Sequence, residues 1–284
     1  MSENTHMCRM EVGDIAFGMS LKEIAGWNQL PVDWERFQEY EPDGCFVVRC
    51  DGRPAGTVTT IAYEQLFGWV GMVLVHPDMR RRGLGTALLM GGIQYLERHG
   101  VAAVKLDATP MGKELYDTIG FVDEYRLARW QGHGCVGDVP AGPCELGSDD
   151  LETLAAFDRP IFGADRRRVL RRLLTEPGIR VAAEFDGDDL QGYAAIRPGQ
   201  NAVYFGPWIA LDGATAERLW QWGRAMAGTA PMFVDVLDPC PYGKELVCQS
   251  GFEQQRELIR MYRGRNVSPG RPDMQCGILG PETG

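Results

Sequence analysis

VHPDMRRRGLGTALL, residues Val75–Leu89, joins the end of an apolar run to the start of an amphipathic one. The run Trp69–Val75 predicts a buried strand, Pro77 breaks it, and RRRGLG opens a helix predicted over Gly83–Arg98. Arg80, Gly83 and Gly85 supply the pattern RxxGxG. Glycines suit this position because backbone N–H groups approach a phosphate only when no Cβ intervenes. The free amides and the positive end of the helix dipole hold an anion there, and Arg80, Arg81 and Arg82 can add charge-assisted bonds. The arrangement suits a pyrophosphate. No GK[ST] follows, and the spacing is not GxGxxG, so neither a Walker loop nor a dinucleotide fingerprint is present. The plain alternative is a glycine-opened helix with three solvated arginines.

Working outward, the chain contains its own duplication. LDATPMGKELYDTIGF (Leu106–Phe121) and LDPCPYGKELVCQSGF (Leu237–Phe252) lie 131 residues apart and share nine of sixteen positions. Each follows a short buried strand, and each leads into a second extended stretch, Val122–Trp130 or Glu253–Tyr262. Two copies of one fold are the simplest account. The Gly/Pro-rich stretch Gln131–Asp150 separates them, which predicts a first domain over 1–132, a linker over 133–148 and a second domain over 149–284. The tail after Gly264, rich in Pro and Gly, reads as extended or partly disordered.

Composition narrows the function. At 284 residues the chain accommodates two domains of about 140 each. With 44% hydrophobic and 24% charged residues it reads as globular, and a net charge of −10 argues against a nucleic-acid partner. No apolar run approaches the roughly 20 residues needed to span a bilayer. The opening MSENTHMCRMEVGD lacks a signal-peptide layout, so a cytoplasmic protein without a membrane partner is expected. The eight cysteines form no CxxC pair and the four histidines are scattered, which argues against a metal site. Most of these cysteines read as small buried hydrophobes.

The chain resembles the GNAT family of acyl-CoA-dependent N-acetyltransferases. V-x-P-x-x-R-x-x-G-x-G (Val75, Pro77, Arg80, Gly83, Gly85) is similar to the family's coenzyme A motif, and LYDTIGF (Leu115–Phe121) to its LYxxxGF helix. This resemblance covers about Phe46–Trp130. The tandem layout, with GWNQ at Trp27 and LDATP at Leu106, is similar to bacterial two-domain members of the YitH type. It implies a mixed α/β architecture of tandem GNAT folds, each a splayed mixed sheet flanked by helices, with the pantetheine arm lying between two strands. Acetyl-CoA would extend along Met72, Val73, Leu74 and Val75, with its pyrophosphate on the amides of Arg81, Arg82, Gly83, Leu84, Gly85 and Thr86. Many members carry an Asn shortly before the LYxxxGF helix, where this chain has TPMGKE.

Acetyl transfer to an amine requires a neutral amine, oxyanion stabilisation and a proton for the departing thiolate. The resemblance implies Tyr116 as the general acid and a backbone N–H near Met72–Val73 for the oxyanion; the bland alternative for Tyr116 is core packing. Asp107, Pro110, Gly112, Lys113, Glu114 and Leu115 recur in copy two as Asp238, Pro241, Gly243, Lys244, Glu245 and Leu246, whereas Tyr116 becomes Val247. RxxGxG has no counterpart in WIALDGATAERLWQW, so the chemistry is placed in copy one and copy two reads as degenerate. The shared residues, Asp107 included, read more readily as structural. Asp107 nevertheless stands with Asp33, Glu35 and Glu41 among the candidate bases.

The resemblance places acceptor recognition in AGWNQLPVDWERF, where Trp27, Asn28 and Trp34 can build a pocket or pack against the sheet. The aromatic residues of copy two (Tyr204, Phe205, Trp208, Trp220, Trp222) read mainly as core, and the basic run Asp165–Arg172 as a solvated helix face. The expected activity is acetyl-CoA-dependent transfer to a small-molecule primary amine in a ternary complex, without a metal. The rival is a non-catalytic acyl-CoA sensor or partner-binding module. A homodimer stays open.

Overall fold

The computed structural model describes residues 4–137 and 139–284; Met1–Glu3, at the start of the expected first domain, and Asp138, within the expected linker, lie outside the described residues. The first copy runs β1 (Thr5–Arg9), α1 (Ile15–Ile24), α2 (Pro31–Tyr40), β2 (Phe46–Cys50), β3 (Arg53–Tyr63), β4 (Phe67–Val75), α3 (Leu84–Arg98), β5 (Ala103–Ala108), α4 (Pro110–Thr118) and β6 (Val122–His133). The second runs β7 (Cys144–Glu145), α5 (Leu151–Phe162), α6 (Arg167–Thr175), β8 (Arg180–Asp186), β9 (Asp189–Arg197), β10 (Val203–Ala210), α7 (Gly213–Ala227), β11 (Pro231–Leu237), α8 (Gly243–Gln249) and β12 (Glu253–Gly264). A short last strand, β13 (Gln275–Gly277), follows.

Local rules account for several helix starts. Pro31 occupies the first turn of α2, where its missing N–H is no loss, and Asp33 reaches back to accept from the Leu30 amide at 2.7 Å. Thr109 caps α4 by accepting from the Gly112 amide at 3.3 Å. Helix α3 lays Leu84, Leu88, Leu89, Ile93 and Leu96 on β3 and β4. Each fully buried side chain of this kind contributes about 1.5–3 kcal/mol over its exposed state.

The strands form one thirteen-stranded sheet in the order β1-β2-β3-β4-β5-β12-β6-β11-β13-β10-β9-β8-β7. The two copies exchange their last long strands. β12, from copy two, runs antiparallel to β5 of copy one, while β6, from copy one, runs antiparallel to β11 of copy two. β6 and β12 then pair with each other, with Leu127 opposite Leu258. Two buried bidentate ion pairs accompany the exchange. Arg260 of β12 donates to both oxygens of Asp107 on β5 at 2.9 Å, and Arg129 of β6 donates to both oxygens of Asp235 on β11 at 2.8 and 2.6 Å. All four side chains are at most 4% exposed. One hydrophobic cluster also spans the copies, joining Trp34, Tyr63 and Trp69 to Phe162, Leu170 and Tyr193.

Three expectations are corrected. The tail, expected to be extended or partly disordered, is extended at β13, which inserts between β11 and β10, and residues 275–280 and 282–284 are buried. Its backbone carbonyls accept from Trp69 Nε1 (at Pro281), Tyr63 Oη (at Thr283) and Arg197 Nη2 (at Leu279), at 2.8–2.9 Å. Composition suggested disorder, but those donors satisfy the tail's carbonyls. The run Asp165–Arg172 is only in part a solvated face: Arg171 is exposed, but two arginines are engaged. Arg166 is 2% exposed and forked onto Asp158, and Arg168 donates to Glu41 and to the carbonyls of Tyr40 and Ala62 in copy one. Of the eight cysteines, Cys45, Cys50, Cys240 and Cys276 are buried, Cys8 and Cys135 half-buried, and Cys144 and Cys248 exposed. The copy-two aromatics are core as expected, with Trp208 and Trp220 stacked at 5.4 Å.

Breaking either exchanged ion pair leaves a buried guanidinium without its counter-charge. Asp235→Ala and Asp107→Ala should each lower unfolding free energy by about 3–5 kcal/mol in urea denaturation, and a loss below about 1 kcal/mol would contradict this role.

Candidate active site

Strands β4 and β5 are hydrogen-bonded neighbours only from Phe67↔Ala103 to Trp69↔Lys105. Beyond Trp69 they part. Met72 adopts φ +47°, a left-handed conformation uncommon outside glycine, and the β3–β4 register shifts there. The Thr57 hydroxyl donates to the Met72 carbonyl at 3.0 Å and pins the bulge. β5 meanwhile takes β12 along its other edge. The splay leaves a cavity of about 150 Å³ between Val70–Val73 and the end of β5, with Leu106, Asp107, Thr109 and Tyr116 on its wall. Trp27 and Gln29 line it from copy one, and Arg256, Leu258, Pro281 and Glu282 from copy two and the tail. Gly71 permits this closure, because a Cβ there would come within 2.9 Å of the Glu282 backbone.

At the far end of β4, residues 77–79 form a single 3-10 turn, Arg80 is extended, Arg81 has φ +62° and Gly83 has φ +78° before α3 begins at Leu84. A Cβ on Gly83 would meet nothing within 4 Å, so glycine serves its backbone conformation rather than space. The N-cap position of α3 is Gly83, which has no side chain to cap the helix. Its first-turn amides have no intrahelical acceptor and follow directly on the exposed Arg80–Arg82 run. Arg80 Nε donates to the Val75 carbonyl at 3.2 Å, folding that side chain along the loop. These donors fit the pyrophosphate of a coenzyme A. The corresponding helix of copy two, α7, is closed: Asp212 accepts from the Thr215 amide at 2.8 Å and its hydroxyl at 3.2 Å. An aspartate occupies the place an anion would take.

Tyr116 stands on α4 at the cavity wall, its ring 5.9 Å from that of Phe121. Burial raises its pKa above the ordinary 10.0, so the phenol keeps its proton at neutral pH. Asp107 also reaches the cavity, but both its oxygens accept from Arg260; burial pushes its pKa up against the pull of that guanidinium. Of the other candidate bases, Asp33 bonds to Arg36 and Arg197, Glu41 accepts from the Ala62 amide, Tyr95 and Arg168, and Glu35 is exposed; none lines this cavity. Glu282, absent from the sequence reading, does line it. Its carboxylate accepts from Gln29 at 3.1 Å and lies 3.7 Å from Arg197, and burial raises its pKa.

Two of the three expected acceptor residues lie elsewhere. Trp34 is 0% exposed, because the amphipathic turn of α2 directs it with Phe37 inward against Gly18. The Asn28 carboxamide is engaged by copy two: it accepts from the Asn201 and Ala202 amides and donates to the Ala202 carbonyl at 2.8–3.1 Å. Trp27 alone of the three lines the cavity. The copy-two residues were missed, although the 131-residue offset carried a signal: Arg256 stands where copy one has Tyr125.

Residues 19–121 match the profile of the Acetyltransferase (GNAT) family, and residues 154–275 that of an Acetyltransferase (GNAT) domain. The chain is similar to a holothin acyltransferase of a Pseudoalteromonas species, 26% identical across 84% of this chain and 81% of that protein. It is likewise 26% identical to the uncharacterized N-acetyltransferase YitH of Bacillus subtilis, across 66% of this chain and 67% of the other. Among solved structures, a putative acetyltransferase of Pyrococcus horikoshii shares the fold at a TM-score of 0.86 and 22% identity, over 99% of this chain and 96% of that one. Among the described residues, no helix is long and apolar enough to cross a membrane. With a GNAT match on each copy and one splayed, glycine-opened cleft, the chain belongs to the GNAT acetyltransferase family as a tandem of two such domains and is an acyltransferase.

Proposed function

We propose that copy one transfers an acetyl group from coenzyme A directly to a small-molecule primary amine within a ternary complex. The observation that carries this reading is the parting of β4 from β5 on the strand that leads to the glycine-opened helix α3. β4 parts from β5 beyond Trp69, beside Met72 and Tyr116, towards the same end of β4 at which α3 opens with glycine. Amides from Arg81 to Thr86 would hold the pyrophosphate, with Arg80–Arg82 adding charge, and Met72–Val75 would flank the pantetheine arm. The thioester carbonyl would then sit at the bulge, where an N–H near Met72–Val73 faces the developing oxyanion.

The neutral amine nitrogen attacks that carbonyl carbon, forming the C–N bond. Collapse of the tetrahedral intermediate breaks the C–S bond, and Tyr116 gives its phenolic proton to the leaving thiolate. The proton lost by the amine returns through solvent to the phenolate, so the cycle balances. A phenol held protonated by burial is matched to a thiolate of similar basicity.

Tyr116→Phe should lower kcat by about 10²-fold or more while the Kd for coenzyme A stays unchanged by calorimetry. Undiminished turnover would remove the acid assignment. Because burial disfavours the phenolate, no alkaline loss of rate caused by Tyr116 should set in below pH 10. Replacing Arg80, Arg81 and Arg82 together with Gln should weaken coenzyme A at least about tenfold, the loss of one or two charge-assisted bonds. Unchanged affinity would put the pyrophosphate elsewhere.

A further inference from the structure

The exchanged strands break the symmetry of their cross-strand pairing at Arg256. The 131-residue offset relates Tyr125, Leu127 and Arg129 of β6 to Arg256, Leu258 and Arg260 of β12. In the ladder Tyr125 lies opposite Arg260, and Arg129 opposite Arg256. On the first side every group is satisfied, since Arg260 donates to Asp107 and also, at 2.6 Å, to the Tyr125 hydroxyl. On the second, Asp235 engages Arg129, and a second guanidinium stands where the tyrosine would be. Like charges directly opposite weaken a ladder, so this residue is placed against stability.

Among the described residues Arg256 lacks the paired carboxylate that Arg129 and Arg260 each have. Among the described residues no carboxylate forms an ion pair with it, and its buried Nε has no hydrogen-bond partner. The nearby acids are engaged: Asp235 by Arg129 and Tyr204, Glu282 by Gln29 and Arg197. Burial and then Arg129 lower its pKa, outweighing the opposing pull of Asp235, Tyr204 and Glu282. It lines the cavity that also holds Tyr116, Met72 and Trp27, beside Gln29, whose buried Oε1 is also without a partner.

We propose that Arg256 binds an anionic group, carboxylate or phosphate, on the acceptor, so that the substrate is a small amine carrying such an anion. This rests on reading copy one as an amine acetyltransferase. It gives copy two a part in that reaction: the exchange of β12 carries a specificity-determining guanidinium into the neighbouring copy's cavity. Its planar fork suits an oxyanion, and an anion there would compensate the charge that Arg129 now opposes.

The test uses the full chain and matched amines: amino acids beside their carboxamides, and phosphoethanolamine beside ethanolamine. Thiol release from acetyl-CoA and calorimetric binding to the coenzyme A complex are both read. The anionic member of at least one pair should be preferred at least tenfold in kcat/KM, and the responding pair distinguishes carboxylate from phosphate. Arg256→Gln should raise KM for that compound at least tenfold with the coenzyme A Kd unchanged, and Arg256→Lys should recover part of the loss. Arg256→Gln and Arg256→Tyr should both melt no lower than the parent, since each relieves the opposition to Arg129; a purely structural arginine would show the reverse. No turnover with Arg256-dependent anion binding retained would overturn the transfer reading and leave anion recognition standing. Equal use of neutral and anionic amines, or anion binding indifferent to Arg256, would overturn the proposal.

Discussion

Two guanidiniums, each buried in the other copy's territory, set the terms of this structure. Arg260 reaches back to Asp107 and Arg129 reaches forward to Asp235, each with two hydrogen bonds and almost no exposure. A buried charge is tolerable only with its partner in place, so the two pairs disfavour arrangements in which β6 and β12 return to their own copies. The pairs thus specify which strand lies beside which, and a shared core around Trp34, Trp69 and Phe162 adds the apolar area that stabilises the arrangement.

On that shared frame the copies have diverged at three corresponding places. The helix after the splayed strand opens with glycine in copy one and is capped by Asp212 in copy two. The residue after the shared GKEL is Tyr116 at the cavity in one copy and the fully buried Val247 in the other. Position 125 supports an arginine, whereas position 256 opposes one. The first two differences support the proposal that the cofactor and the acid belong to copy one. The third, together with Glu282 of the tail, gives copy two and the tail the remaining wall of the same cavity.

Much of copy one was legible because its signals are local. The strand–Pro–RxxGxG–helix order of Val75–Leu89 is dictated by backbone geometry within a few residues, and the structure places the bend, the left-handed Gly83 and the uncapped helix there. Comparing copies left Asp107 both a structural residue and a candidate base; both its oxygens accept from Arg260, a partner the comparison did not foresee. What escaped depends on partners more than a hundred residues away. Nothing near Val122 or Glu253 says that these strands trade places. The stretch after Gly264 looks unstructured until Trp69, Tyr63 and Arg197 supply donors for its carbonyls. Trp34 and Asn28 were attractive as pocket residues by type, but the face of α2 and the loop at Asn201 had already engaged them. Arg166 shows the same limit, since a basic run looks solvated until Asp158 and Tyr193 enclose one member of it.

The central claim is that strand exchange makes the two copies one cooperative body around a cofactor site that lies in only one of them. Scanning calorimetry with and without coenzyme A tests it most directly. A single transition should span the whole chain, with calorimetric and van't Hoff enthalpies agreeing, and coenzyme A should shift that transition upward as a unit. Two separable transitions, of which coenzyme A moves only one, would contradict the account.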